Sequence, residues 1–170
     1  MEIRNFTLEG YQNYEEVENK ITTLLKEIYA EKYFPLRIAI NESVLNAAKY
    51  SIEGIEKANI TILFRIFENE LRISIKSNTK TFDAFSYQNK LKKILEDEKN
   101  LMTEWGDYIG DRDVGRGFWY ILSAVDYLFI DEFGDEITLV IRKTKSNLPE
   151  VNSLYYLIPK FLVMRNGVIY

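Results

Sequence analysis

The chain contains neither cysteine nor histidine. Without cysteine there is no disulfide, no thiol nucleophile and no thiolate metal site. Without histidine, Ser–His and Cys–His catalysis, the common zinc sites and a histidine phospho-acceptor are excluded. No uncharged run approaches the length of a membrane span, so no membrane role is expected. The N-terminus MEIRNFTLEG lacks the basic–apolar–small pattern of a signal peptide, and a cytoplasmic location is the expectation. Lys and Arg are scattered and the net charge is −4, so nothing tracks a nucleic-acid backbone. Chemistry, if present, must run on carboxylates, amides, hydroxyls, Lys/Arg and a hard cation.

What remains is the composition of one globular domain. The 170 residues are 46 % hydrophobic and 28 % charged, enough for a substantial core and too few for two comfortable domains. The 12 Tyr and 10 Phe are read first as core and sheet packing. Weak alternation over residues 2–8 predicts a strand. Val17, Ile21, Leu24, Leu25 and Ile28 predict an amphipathic helix over 13–33. Pro35 opens a second helix, expected to end near 52–54. Strands are predicted at 59–67 and 71–77, then a polar stretch at 78–89 and a charged helical segment at 90–105. A Gly/Asp-rich loop, a helix at 118–125 and strands at 127–133 and 136–143 follow, the last two joined by a turn at Gly134-Asp135. This order predicts an α+β fold, a two-layer α/β sandwich whose mixed sheet carries helices on one face. The apolar tail, with Leu154, Leu157, Phe161 and Val163 before Asn166-Gly167, carries a hairpin signal. It either packs on the domain or meets a partner.

The most informative stretch is LRIAINESVLNAAKYS, residues 36–51. Glu42 and Asn46 stand four residues apart and share one helical face. A carboxylate able to take a proton, one turn before a neutral amide oxygen able to ligate a hard cation, suits phosphate chemistry. Such pairs are usually a solvated face, or an amide bonding a buried backbone group. Here Ala39, Ile40, Val44, Ala47 and Ala48 pack the helix on several sides, which points the pair into a cleft. Downstream, Gly115-Arg116-Gly117 precedes a helix. The glycines allow close backbone approach, and the helix N-terminus offers free N–H groups to phosphates. Asp107, Asp111 and Asp113 do not follow the EF-hand spacing and are read as a solvated loop, with Asp113 capping the helix after it.

In this order and spacing, NESVLNAAKY and DVGRGFWYI resemble the N-box and second glycine box of the Bergerat-fold (GHKL) ATPases, and most nearly the anti-sigma-factor serine kinases among the histidine-kinase-like ATPases. The resemblance spans about residues 36–142. It implies an ATP-binding domain over 1–145, with 146–170 as a C-terminal extension. It also implies Mg²⁺ on Asn46, and Glu42 as the catalytic carboxylate that positions or activates water or a substrate hydroxyl. Lys49, Gly115, Arg116 and Gly117 fall in the cofactor-binding region. The implied partners are proteins, a sigma factor or an anti-anti-sigma-like regulator, together with a homodimer.

One box departs from the pattern. Where the family has an Asp for the adenine amino group and then a Gly-x-Gly turn, this chain has SNTKTFD, which puts Ser77 at the Asp and Thr79 and Thr81 at the glycines. A neutral Ser gives up a charge-assisted hydrogen bond worth roughly 1.5–3 kcal/mol, on the order of 10- to 100-fold in affinity. β-Branched Thr also resists the positive φ that glycine permits. The alternative reading is therefore a pseudo-ATPase interaction module, with Ser77, Thr79 and Thr81 filling the adenine site and partners meeting the segment 90–105 or the tail.

Overall fold

A computed structural model describes residues 1–110, 115–143 and 152–170. Seven strands form one mixed sheet: β1 (Glu2–Glu9), β2 (Asn59–Ile66), β3 (Glu70–Ser77), β4 (Tyr127–Asp131), β5 (Glu136–Arg142), β6 (Phe161–Arg165) and β7 (Val168–Ile169). Their spatial order is β1-β2-β3-β5-β4-β6-β7, with every pairing antiparallel except β4–β6. Period-two alternation sets the register. Phe64, Ile73, Leu139, Leu128 and Phe161 lie opposite one another in one buried row across five strands. Slipping any strand by one residue would turn its share of that row out of the core.

The helices supply the second layer. In α1 (Tyr14–Tyr29), Val17, Ile21 and Leu25 recur every four residues and are buried as one stripe. In α2 (Phe34–Lys49), Pro35 sits in the first turn, where its missing N–H costs nothing, and small Ala39, Ser43 and Ala48 let the helix lie close to its neighbours. Further on come α3 (Ala84–Ile94), α4 (Trp105–Ile109), α5 (Arg116–Ala124) and α6 (Leu154–Leu157). This is the two-layer α/β sandwich that the element order predicts.

Three details depart from the sequence expectation. The second helix stops at Lys49, because the residues beyond it pair with a later segment: Ile52 N–H donates to Asn78 O (2.9 Å) and Lys80 N–H to Tyr50 O (2.8 Å). The polar stretch expected at 78–89 already contains the start of α3, six residues before the predicted helix at 90. Asp83 caps it by accepting the Ser86 N–H at 2.9 Å, and Ala84, Gln88 and Leu91 form its buried face. The predicted helix at 90–105 breaks after Ile94 into a short 3₁₀ turn and α4. Asp111 and Asp113 lie outside the described residues.

The Asp83 cap makes a pH-dependent contribution. Its hydrogen bonds from Ser86 hold the carboxyl below its ordinary value. A lowered folded-state value means the stabilisation is fully present above the unfolded-state value and is lost as pH falls through the folded one. Thermal melts across the acid range should show this loss. In Asp83→Asn, which still caps but does not titrate, that part of the acid dependence should vanish.

The tail joins the same sheet. β6 lies beside β4, and Leu154, Leu157, Ile158, Phe161 and Val163 are buried in the common core. Asn166 and Gly167 both take positive φ (52° and 77°), the two-residue turn that Asn-Gly favours between paired strands. Buried Gln88 of α3 donates to Phe161 O (3.2 Å) and Tyr170 O (2.9 Å), fastening the tail to that helix.

Candidate functional site

The site begins where α2 and α5 pack against each other. Gly115 ends the preceding loop at φ 102°, a left-handed conformation that glycine adopts without strain, and no side chain caps the helix that follows. Two residues on, Gly117 faces α2. A Cβ built there would lie 3.2 Å from Glu42 Cδ and would overlap Glu42 Oε2. Glycine is what lets the carboxylate rest against the first turn of α5. The acid of one helix and the glycine turn of the other thus pack directly against each other.

Glu42 and Asn46 are half-buried, and neither side chain has a hydrogen-bond or ion-pair partner among the described residues. Their neighbour Asn41 is the contrast. Its Oδ1 accepts from the Tyr14 hydroxyl (2.8 Å) and its Nδ2 donates to Glu18 Oε1 (2.6 Å). A purely structural Asn46 would be satisfied in the same way; among the described residues nothing bonds this amide. The Tyr11 phenol is pushed up by burial first, then by the negative charges of Glu18 and Glu42, so it stays neutral and serves as no base.

The cations fit an anionic ligand. Lys49, in the last turn of α2, and Arg116, first residue of α5, are exposed and unpaired among the described residues. A cation in the first turn opposes the helix macrodipole, and α5 has no acidic residue there to offset it. Among the described residues no three carboxylates converge on a metal position. A hard cation here would rely on Asn46 and on oxygens that a phosphate brings with it.

The neighbourhood of the last turn of α2 is built from a different set of contacts. Ser77 is buried on the same face as Ile73 and Ile75; its hydroxyl donates to Ala47 O on α2 (3.4 Å) and its N–H to Asp135 O (3.0 Å). The Thr79 hydroxyl lies 3.0 Å from Asp135 Oδ1 and 3.1 Å from Gly134 O, and its N–H donates to the same Oδ1 (3.2 Å). Among the described non-glycine residues only Ala30 and Asn166 have positive φ, and Thr79 forms an isolated antiparallel bridge with Ser51. Thr81 is exposed and has no hydrogen-bond partner among the described residues.

The fold sets Glu42 against Gly117 in the first turn of α5, with Asn46 one turn further along α2, Ser77 bonded to Ala47 beside it and Thr79 bridged to Ser51; Lys49, Thr81 and Arg116 are exposed. Asp135 was legible in the sequence only as half of a turn. A surface hollow of about 430 Å³, lined by Glu98, Leu101, Met102, Tyr155 and Tyr156, shares no residue with this site. No helix among the described residues is long and apolar enough to cross a membrane.

No family model matches the chain. Over 99 residues it is 33 % identical to the serine-protein kinase RsbW of Listeria innocua serovar 6a, covering 57 % of this chain and 58 % of that protein. Over 48 residues it is 33 % identical to the serine-protein kinase RsbW of Listeria monocytogenes serovar 1/2a, covering 28 % of this chain and 31 % of that protein. The chain thus spans less than two thirds of the length of either relative. The likeness is a coarse one, to serine kinases of the GHKL kind.

Proposed function

We propose that this chain is a regulatory domain that binds Mg²⁺ and ATP between α2 and α5 and acts on a protein partner, in the manner of an anti-sigma-factor serine kinase. Residues 1–145 are the ATPase-like domain, and the extension that follows it contributes β6 and β7 to the same sheet. One observation supports the reading: Glu42 of α2, without a hydrogen-bond or ion-pair partner among the described residues, rests against Gly117 in the first turn of α5, and Asn46, equally without one, follows a turn later.

The residues present fit the phosphate end of a nucleotide. Asn46 offers an amide oxygen to a hard cation, and the start of α5, which no side chain caps, offers backbone N–H groups to phosphate oxygens. Arg116 and Lys49 add positive charge. When bound, Mg²⁺ neutralises charge on the transferring phosphoryl group. Glu42 then accepts the proton of an incoming serine or threonine hydroxyl, and the packing of α2 on α5 fixes its distance from the phosphates. The protein supplying that hydroxyl, or held without reaction, is a sigma factor or an anti-anti-sigma-like regulator, met by a homodimer of this chain.

Calorimetric titration with Mg²⁺ and ATP tests the reading. Measurable binding is expected, weakened roughly 10- to 100-fold in Asn46→Ala, the range for one hydrogen bond to a charged group. Absence of heat or thermal shift at millimolar nucleotide would refute it. The rebuilt Ser77–Thr79 segment favours a second reading, a pseudo-ATPase interaction module that has lost its nucleotide. In that case partner binding would be indifferent to ATP and to Asn46→Ala.

A further inference from the structure

We infer that the hollow between the 3₁₀ turn at Glu98–Asn100 and α6 is a docking site for a protein segment that presents an arginine beside an apolar side chain. It rests on the partner half of the proposed function and on no nucleotide, because none of the residues lining the hollow belongs to α2 or α5.

The walls are preformed. The segment after α3 and the tail are tied through their backbones on both sides of an antiparallel bridge between Glu104 and Ser153. Leu154 N–H donates to Thr103 O (3.0 Å) and Trp105 N–H to Asn152 O (3.3 Å). Trp105, Leu154 and Leu157 are buried in the core and anchor both segments. Glu98, Leu101 and Met102 come from one segment and Tyr155 and Tyr156 from the other, around a space of about 430 Å³. Walls fixed in this way lose little freedom when a partner arrives, so little of the contact energy is spent on ordering them.

These walls display apolar groups where solvent alone would favour polar ones. Leu154 and Leu157 take the inward side of α6 and leave Tyr155 and Tyr156 each 51 % exposed. The two rings stand at 88° to each other with centroids 5.2 Å apart. Met102 is 78 % exposed, more than any other large apolar side chain among the described residues except that of Met1. Single apolar residues scattered over a surface need no account, but these three meet in one hollow. Tyrosine and methionine are also residue types enriched where proteins meet.

Charge decides the occupant. Glu98 is the one Asp, Glu, Lys or Arg in the lining, and it has no ion-pair partner among the described residues. Over residues 96–107 the exposed carboxylates of Glu96, Asp97, Glu98, Glu104 and Asp107 stand against a single cation, Lys99. A second copy of this chain would bring the same acidic segment and a net charge of −4, so the complement is a different, basic protein. A guanidinium fits better than an ammonium. It lies flat on a tyrosine ring while its N–H fork donates to a carboxylate. Leu101 and Met102 then receive the apolar neighbour.

Titration of the isotope-labelled full chain with short capped peptides, followed by NMR amide shifts, tests this. The probe carries a central Leu-Arg-Leu and is compared with Leu-Glu-Leu and Ser-Arg-Ser counterparts. Saturable binding of Leu-Arg-Leu is expected at millimolar peptide or below, with shifts centred on residues 98–102 and 155–156. Both counterparts should bind about 5-fold or more weakly. Glu98→Gln should weaken Leu-Arg-Leu by about 2- to 5-fold, the worth of an exposed ion pair, and Tyr156→Ser by about 5-fold. Both positions are exposed, so thermal melting should not move. Equal binding of Leu-Arg-Leu and Leu-Glu-Leu, shifts that fall elsewhere, no saturation at millimolar peptide, or undiminished affinity in Tyr156→Ser would overturn the inference and leave the proposed function standing. Self-association on concentration that Met102→Glu abolishes would make the occupant a second copy, and would overturn it too. A failed ATP titration would refute the nucleotide reading without touching this one.

Discussion

Glu42→Gln is expected to lower phosphoryl transfer to a protein hydroxyl by about 10²- to 10⁴-fold, the usual worth of a positioned general base. The substitution keeps the length and volume of the side chain, so the space over Gly117 stays filled and α2 keeps its seat on α5. What it removes is the lone pair that accepts a proton. Nucleotide affinity should stay within about threefold, because the proposed site assigns the phosphates to Asn46 and the α5 backbone, and only an interaction special to the transition state would be lost. Single-turnover transfer of labelled γ-phosphate, run beside nucleotide titration, separates the two quantities. An unchanged transfer rate would remove Glu42 from the chemistry. A parallel collapse of affinity and rate would make it a structural contact.

Phe161→Ala carries the largest expected cost to stability, about 3–5 kcal/mol, the range for emptying a buried aromatic site. Phe161 is 2 % exposed and closes the five-strand row that begins at Phe64. Its ring meets those of Phe118 and Tyr87, with centroids 5.3 and 5.7 Å away. Phe118 directly follows the glycine turn, so the cavity would open beneath the start of α5. Denaturant unfolding should show a lower midpoint at an unchanged slope. A loss below about 1 kcal/mol would mean that the site collapses freely or that the tail contributes little to the domain.

The parts of the site that were legible in the sequence are those whose geometry is local. Glu42 and Asn46 share a face because a helix repeats every 3.6 residues, and Gly115 and Gly117 announce a tight turn before an apolar run. Their meeting was legible only through the resemblance, since nothing local says that α2 packs on α5. The sheet was readable because apolar residues alternate in β2 and β3, although in β5 Leu139, Val140 and Ile141 are buried in succession. The bounds of α3 were missed for a local reason: Asp83 and Ser86 form a cap inside a stretch that otherwise reads as polar loop. Asp135 was missed for a non-local one. Its partner Thr79 lies 56 residues earlier, and Gly134-Asp135 is an equally good turn whichever way the carboxylate points.

The sheet also says something about the order of assembly. β2–β3 and β4–β5 are each closed by a short turn, whereas β3 and β5 are joined across a long span of chain. Local pairs close early and distant ones late, because the entropy of closing a long loop is met before its contacts repay it. α2 belongs to the first half and α5 to the second, so the contact between them spans that late-forming join. Partial opening would therefore part Glu42 from Gly117 while both hairpins stay intact, and the contact between the two helices would be lost well before the fold.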